Sequence, residues 1–272
     1  MPNHPVLRAC AVLALPLLLG GCEYGRHVVA MTRSTSAFMA CTPEPRILCE
    51  PGAQALAARV APLVPAAMAT IERKQFPTFA APVQIYVYTS PESFSRYSAA
   101  SASAAGVATR GAVHISPVIL THPDGPAGIV AHELSHLNMA LQLGPWRMVR
   151  LPGWFSEGLA TWASGGGAGN VYEPNVRHAI RHGKHFEPTA LQPWWRPFQE
   201  PPQHMSWPAY YSQTRMFVAF MHDADPAAFR NLLEALGRRE TFAEAVGASY
   251  GRPLAALWQE FVASLAAPVA AG

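Results

Sequence analysis

Hydrophobic and polar positions in the first half of the chain predict one helix followed by two short strands. Apolar residues recur at helical spacing from Ala53 to Lys74, although two prolines interrupt this stretch. Apolar and aromatic residues alternate from Pro82 to Thr89, and a shorter run from Gly111 to Ser116 ends before a proline. The small residues between the two strands, Ser98 to Gly106, predict a mobile loop.

The second half of the chain predicts a series of helices, most of them separated by glycine or proline. They are expected at Gly125 to Leu143, Trp154 to Ser164, Pro208 to His222, Pro226 to Leu236, Thr241 to Val246 and Pro253 to Leu265. Strands followed by helices are typical of an α+β chain. We therefore expect a small N-terminal mixed sheet packed on the helix from Gly125 and a helical C-terminal half, with residues 52–272 forming one domain.

The first 22 residues have the layout of a secretory signal. Arg8 precedes an apolar stretch that ends in Gly20 and Gly21 and is too short to span a bilayer comfortably. The next residue, Cys22, completes an ending that resembles a bacterial lipobox, in which the cysteine is acylated. Ordinary signal cleavage with an incidental Cys22 is the alternative. Either way, we expect export to the bacterial cell envelope, with a lipid anchor and a location facing the periplasm in the first case.

Two cysteines remain once Cys10 and Cys22 are set aside. Cys41 and Cys49 form an even pair, which in an oxidising compartment predicts a disulfide; two free thiols are the alternative. Closing so short a loop would stabilise the fold by about 2 to 3 kcal/mol. Residues 23–51, which show neither helical nor strand periodicity, are expected to form a tether that contains this loop.

Composition excludes two classes of protein. Half of the 272 residues are hydrophobic, which is enough for a core and argues against disorder. The net charge is only +3, and lysine and arginine are scattered along the chain. The basic patch of a nucleic-acid-binding protein is therefore missing.

The helix from Gly125 carries the first segment with specific chemistry. His132, Glu133 and His136 form an H-E-x-x-H motif, whose histidines lie one helical turn apart on the same face. This is the spacing that a single zinc ion needs, and Glu133 is placed to take a proton from water as a general base. The motif alone is suggestive, because a catalytic zinc site needs a third protein ligand.

Glu157 is the candidate third ligand. It is the acid in the otherwise apolar helix that begins after Pro152 and Gly153, and the intervening chain is long enough to bring it back to the histidines. Ligating a dication would remove the cost of burying this carboxylate. The alternative is a surface acid on an amphipathic helix.

A second pair of histidines, His178 and His182, has the same spacing. Alanine stands where a catalytic base would be needed, and Arg177, Arg181 and Lys184 crowd the pair and repel a dication. We interpret this segment as a basic, solvated helix face.

The segments HELSH and PGWFSEGLA resemble the gluzincins, zinc peptidases of the MA-like group related to thermolysin and the M1 aminopeptidases. The resemblance implies a zincin-like fold, one Zn²⁺ per chain held by His132, His136 and Glu157, and Glu133 as the base. The later segment AYYS, followed by Phe-Val, is similar to the family helix whose tyrosine steadies the oxyanion, a role that falls on Tyr211. The resemblance spans roughly Pro82 to Leu265, and it places the strand from Gly111 to Ser116 against an extended polypeptide substrate.

Two departures from these relatives narrow the expectation. The chain has no Gly-Ala-Met-Glu-Asn run, which in the M1 enzymes supplies the acid that binds a free amino terminus. We therefore expect an endopeptidase and not an aminopeptidase. Thr161 stands where thermolysin-like enzymes carry an acid that orients a zinc histidine. The leading hypothesis is an envelope zinc peptidase. The alternatives are a zinc amidase acting on a non-protein envelope substrate and a lipoprotein binding module with little turnover.

Overall fold

The computed structural model describes residue 30 and residues 32–168, 173–190, 201 and 205–266. The proposed signal and the lipidation candidate Cys22 lie outside the described residues. All strands of the described chain lie in its N-terminal half, and most of the rest is helical. The architecture is therefore α+β, as the order of the predicted elements indicates.

A five-stranded mixed sheet occupies the N-terminal half. Its strands are β1 (Met39–Ala40), β2 (Ile47–Cys49), β3 (Ile85–Val87), β4 (Gly106–Thr109) and β5 (Ala112–Ile115). Their spatial order is β1-β2-β3-β5-β4. The three central strands run parallel, whereas β1 and β4 pair antiparallel at the two edges.

The sheet begins before residue 52, where the sequence predicts the domain to start. Ile47 and Cys49 of β2 are buried in the core, and β2 pairs along its whole length with β3. The segment predicted to be a tether therefore contributes two strands to the sheet. Such short strands carry too few alternating positions for their periodicity to stand out in the sequence. The predicted disulfide between Cys41 and Cys49 is confirmed, with the two Cα atoms 6.0 Å apart.

The predicted helix from Ala53 to Lys74 consists of two α-helices joined by one turn of 3₁₀-helix. The helices are α1 (Gln54–Val60) and α2 (Val64–Lys74), and the turn is Ala61–Leu63. Proline at the turn and at the start of α2 explains the break, because proline has no N–H to donate within a helix. By length and composition alone, Gln54–Lys74 is the one helical stretch of the described chain that is apolar enough to cross a membrane. Its apolar residues, however, pack in the core against the sheet.

The remaining helices lie beside and after the sheet. They are α3 (Pro91–Ser98), α4 (Gly125–Leu143), α5 (Pro145–Met148), α6 (Gly153–Ala163), α7 (Glu173–Arg181), α8 (Trp207–Ala224), α9 (Pro226–Gly237), α10 (Phe242–Tyr250) and α11 (Leu254–Ala266); a 3₁₀ turn, Pro117–Leu120, follows β5.

Helix α4 lies between two hydrophobic cores. Ile129, Val130 and Leu134 pack into the core formed with the sheet and with α1 and α2. Met139 and Leu143 pack into the core formed by the C-terminal helices. The H-E-x-x-H segment shares Leu134 with the first group and is followed by the second, so both cores hold it in place.

One expectation about the sheet is wrong. The predicted strand at Gly111 to Ser116 is present as β5, but it pairs with β3 on one side and β4 on the other. Its backbone hydrogen-bonding groups are therefore already used, and it cannot accept an added peptide strand. The edge strand on this side of the sheet is β4, which begins in the stretch predicted to be a loop. The glycine and alanine of β4 lack the β-branched and aromatic pattern by which strands are recognised.

Candidate metal centre

His132, Glu133 and His136 are positioned by a helix that is buried on nearly every side. His132 is 3 % exposed and Glu133 is 8 % exposed, which are low values for ionisable residues. Helix α4 is also fixed by polar contacts behind the motif. The Gln75 side-chain amide donates to the Ser135 carbonyl at 3.0 Å, and the Ser135 hydroxyl donates back to the Gln75 amide oxygen at 2.6 Å. A buried polar pair satisfied in both directions sets the rotation of the helix about its axis.

Glu157 reaches the two histidines from helix α6. This helix begins directly after Pro152, and its apolar residues, among them Trp154 and Phe155, are buried in the C-terminal core. Gly158 allows α6 to approach α8 closely, because a Cβ atom added there would lie 2.7 Å from the Thr214 carbonyl oxygen. Glu157 is the next residue before this contact, so the packing of α6 on α8 fixes the position of its carboxylate.

The three candidate ligands form a nearly equilateral triangle of donor atoms. The Nε2 atoms of His132 and His136 are 3.1 Å apart, and the Glu157 Oε2 atom lies 3.4 Å from the first and 3.3 Å from the second. Ligands bound to zinc at 2.0 to 2.1 Å in a tetrahedron are separated by about 3.3 Å. The donor triangle therefore fits a small tetrahedral cation, and these residues could hold a metal ion.

The charges of this group reinforce one another. Burial opposes the protonation of His136, but Glu157 and Glu133 outweigh it and raise the pKa of His136 to about 9. Burial also raises the pKa of Glu157, yet the two histidines outweigh it and hold that pKa well below its usual range. The Glu157 carboxylate, in contact with two imidazoles, is a negative centre that a cation would stabilise. A dication supplies that charge without a proton.

Glu133 is kept apart from the donor triangle and faces the edge strand. Burial raises its pKa, although the two histidines and the backbone N–H of Ala108 act in the opposite direction. Gly106 of β4 lies so close that an added Cβ atom would be 2.9 Å from the Glu133 Cγ atom. The carboxylate thus lies between the histidines and β4, in the position that a general base needs if substrate binds along this edge.

A cleft of about 320 Å³ opens beside this group. The residues that line it include Gly106 of β4, Tyr211 of α8, and Ile129, His132 and Glu133 of α4. Trp207, 46 % exposed, also lines the cleft. The cleft leads to the candidate base and to one of the candidate metal ligands.

The two neighbouring tyrosines of α8 have different surroundings. The Tyr211 ring contacts the His132 ring edge-on at 6.0 Å and lines the cleft. Tyr210 is fully buried against Phe186, and its hydroxyl has no hydrogen-bond partner in the described structure. Burial and the nearby Glu157 raise the pKa of both tyrosines, so both keep their protons at neutral pH. The structure places Tyr211 in the cleft, and its catalytic role stays a prediction.

Support for the ligands differs between the two histidines. The Ser156 hydroxyl lies 3.3 Å from Nδ1 of His136, and it belongs to the residue just before Glu157. By contrast, Nδ1 of His132 and the Thr161 hydroxyl are buried without a hydrogen-bond partner in the described structure. The Ser156 hydroxyl is therefore placed to orient the His136 imidazole, whereas the Thr161 hydroxyl makes no hydrogen bond in the described structure.

Sequence reasoning did not single out Ser156, the edge strand β4 or the acid Asp124, which also lines the cleft. For Ser156 the signal was its place beside Glu157. For Asp124 the signal was an aspartate directly before helix α4, but an aspartate in this position is usually explained as a helix cap.

Comparison with protein-family models gives no match, and comparison with curated proteins gives no significant match. The interpretation of this site therefore depends on its own residues and their geometry.

Proposed function

We propose that this chain is a zinc-dependent endopeptidase with a zincin-like fold. The single observation that carries the proposal is the triangle of His132, His136 and Glu157 donor atoms at 3.1 to 3.4 Å, with the buried Glu133 beside it at a cleft. Two imidazoles and one carboxylate are a ligand set of catalytic zinc sites, which keep a fourth position open. A closed structural site would use four protein ligands instead.

The arrangement of elements supports the zincin-like assignment. The H-E-x-x-H helix α4 packs beneath a mixed sheet, and a second helix, α6, supplies the carboxylate. The edge strand β4 borders the cleft next to Glu133. The first two features are those that the resemblance of the two sequence segments implies, whereas the resemblance placed the strand from Gly111 to Ser116, and not β4, beside the substrate.

His132, His136 and Glu157 would hold the zinc ion, which would supply Lewis acidity to the scissile carbonyl group and to a water molecule. Glu133 takes a proton from the attacking water as the new C–O bond forms. It then returns this proton to the amine nitrogen as the C–N bond breaks. Tyr211, protonated and facing the cleft, donates a hydrogen bond to the oxygen that gains negative charge.

The substrate class follows from the edge strand. Strand β4 pairs with β5 on one side, and no strand of the described chain pairs with its other edge, where we expect an extended polypeptide to add. An added strand gains affinity from backbone hydrogen bonds, while its side chains enter neighbouring pockets. We therefore propose polypeptide as the substrate, and β4 instead of β5 as the strand that pairs with it.

Location in the cell envelope is part of the same proposal. The disulfide between Cys41 and Cys49 fits an oxidising compartment. The sequence of the first 22 residues supports export, and acylation at Cys22 would anchor the protein to a membrane that faces the periplasm.

The decisive experiment measures zinc content and cleavage of an unstructured protein by wild type, Glu133→Gln and Glu157→Ala. We expect one zinc per chain and cleavage in wild type. Glu133→Gln should keep its zinc and lose activity by roughly 10²- to 10⁴-fold, because only the base is removed. Glu157→Ala should lose the metal. Glu173→Gln is the matched control, because the side chain of this acid on α7 is 41 % exposed and its ion pairs are 3.7 and 3.9 Å long.

The alternatives predict other outcomes. Zinc binding without cleavage of any polypeptide would favour an amidase acting on a non-protein envelope substrate or a binding module with little turnover. A wild-type protein that binds no metal would show that the proposal is wrong.

A further inference from the structure

The cleft beside the donor triangle contains a second acid, Asp124. Its side chain is 11 % exposed, and it lines the cleft together with His122, Pro123 and Ala168. Asp124 comes directly before α4 and eight residues before His132, which corresponds to about 12 Å along the helix axis. One continuous cleft therefore joins the candidate reaction centre to this carboxylate.

Asp124 does not have the ordinary structural role of its position. It stands at the N-cap of α4, where an aspartate usually accepts a hydrogen bond from the backbone of the first turn, but its side chain makes no such bond. The backbone N–H of Ala168 bonds to the carboxylate instead. One carboxylate oxygen, Oδ2, is buried without a hydrogen-bond partner. An unsatisfied buried acceptor costs free energy, and a ligand that donates to it would remove that cost.

Among the described residues that line the cleft, only His122 and His132 bring positive charge near this carboxylate. None of the described residues that line the cleft is lysine or arginine. Nδ1 of His122 is 3.5 Å from Oδ2, but it accepts a hydrogen bond from the Asp124 backbone N–H at 3.3 Å. In this geometry Oδ2 receives no hydrogen bond from His122.

Much of the cleft lining is apolar. Ile129, Ala104 and Ala105 line the cleft together with Glu133 and Asp124. Apolar walls that lead to a single acid suit the aliphatic stem and charged end of a lysine or arginine side chain. The span of about 12 Å along α4 favours such a long side chain over a short one.

We propose that Asp124 determines specificity by receiving the cationic side chain of a lysine or arginine near the scissile bond. This inference rests on the proposed peptidase function, which it deepens by naming the substrate class as basic polypeptides. The competing role is structural, because Asp124 also ties the loop at Ala168 to the start of α4.

The test compares peptides that are identical except for one position near the scissile bond, which carries either lysine or uncharged Nε-acetyl-lysine. For wild type we expect kcat/KM to favour lysine by roughly 10- to 100-fold, the range for a hydrogen bond to a charged group. Asp124→Asn should lose this preference by slowing only the lysine peptide, because its amide oxygen can still accept from Ala168. Asp124→Glu should retain part of the preference. Asp223→Asn, which removes the same charge from a side chain that is 74 % exposed, should retain all of it.

Binding to the Glu133→Gln protein, measured by fluorescence anisotropy, separates this inference from the peptidase proposal. If wild type cleaves both peptides equally, the peptidase proposal stands and the role of Asp124 is wrong. A loss of activity on both peptides in Asp124→Asn would assign Asp124 to loop structure and overturn the inference. If nothing is cleaved but lysine peptides bind more tightly in a manner that needs Asp124, the inference stands without the peptidase. Failure to bind either peptide overturns it.

Discussion

The chain contains two histidine pairs with the same helical spacing, and they have opposite surroundings. His132 and His136 on α4 have ring centroids 4.8 Å apart, are largely buried, and meet Glu157 from another helix. His178 and His182 have ring centroids only 4.1 Å apart, but both are exposed at the end of α7. In the described part of the chain, His132, His136 and Glu157 are the one group of three such side chains whose ligand atoms converge. Spacing alone therefore does not make a metal site; a second helix must deliver the carboxylate.

Local charge makes the same distinction. Glu133 and Glu157 lie beside the first pair and raise the pKa of His136 to about 9, although burial acts in the opposite direction. The second pair has Arg177, Arg181 and Lys184 as sequence neighbours, and Nδ1 of His182 is engaged with the His178 carbonyl oxygen at 2.8 Å. Positive neighbours oppose the binding of a dication.

The strongest way to break this comparison is to remove one histidine from each pair. His136→Ala deletes a corner of the donor triangle and should weaken zinc binding by more than roughly 100-fold, because losing a group that only supports a ligand already costs up to that much. His182→Ala should leave both the affinity and the stoichiometry of one zinc per chain unchanged. Titration against a competing chelator measures both. A second zinc per chain that disappears in His182→Ala would contradict our interpretation of α7.

The sequence predicts the candidate metal centre better than it predicts the surrounding sheet. Helix α4 was predicted with the bounds that the structure shows, and Glu157 was chosen correctly as the residue that meets the two histidines. Both predictions depend on strong signals: a long periodic helix, and an acid in an otherwise apolar helix that needs a charge partner.

The elements that were missed carry weak or ambiguous signals. Strands β2 and β4 are three and four residues long, and β4 consists largely of small residues. Helix α3 is short, although Ser90 as its N-cap and Pro91 in its first turn were readable signals. The supporting contacts of Ser156 and Asp124 come from tertiary packing, which no local pattern encodes.

The comparison can be sharpened by disturbing the helix that delivers the carboxylate. Gly158→Ala places a methyl group 2.7 Å from the Thr214 carbonyl oxygen and 2.9 Å from Val218 Cγ2, and backbone cannot move aside cheaply. We expect a loss of about 1 to 3 kcal/mol in the free energy of unfolding, the usual cost of overpacking. Because α6 must shift, zinc affinity should fall as well.

Gly247→Ala is the matched control for this change. Gly247 also lies within a helix, α10, but nothing lies within 4 Å of an added Cβ atom. The gain in helix propensity should stabilise the protein by up to about 1 kcal/mol. Chemical denaturation of the metal-free proteins measures both variants. Equal zinc affinities of the Gly158→Ala and Gly247→Ala proteins would show that the contact between α6 and α8 does not position Glu157.

The smallest expected effect concerns the support of a single ligand. Ser156→Ala removes the hydroxyl that lies 3.3 Å from Nδ1 of His136, so the imidazole becomes freer to rotate. We expect zinc affinity to fall by about tenfold, at the lower end of the range for supporting groups because the contact is long. Thr161→Val is the control, since it removes a buried hydroxyl without a hydrogen-bond partner and keeps the shape of the side chain. It should leave zinc affinity unchanged. A larger loss in Thr161→Val than in Ser156→Ala would mean that position 161, and not Ser156, supports the ligands.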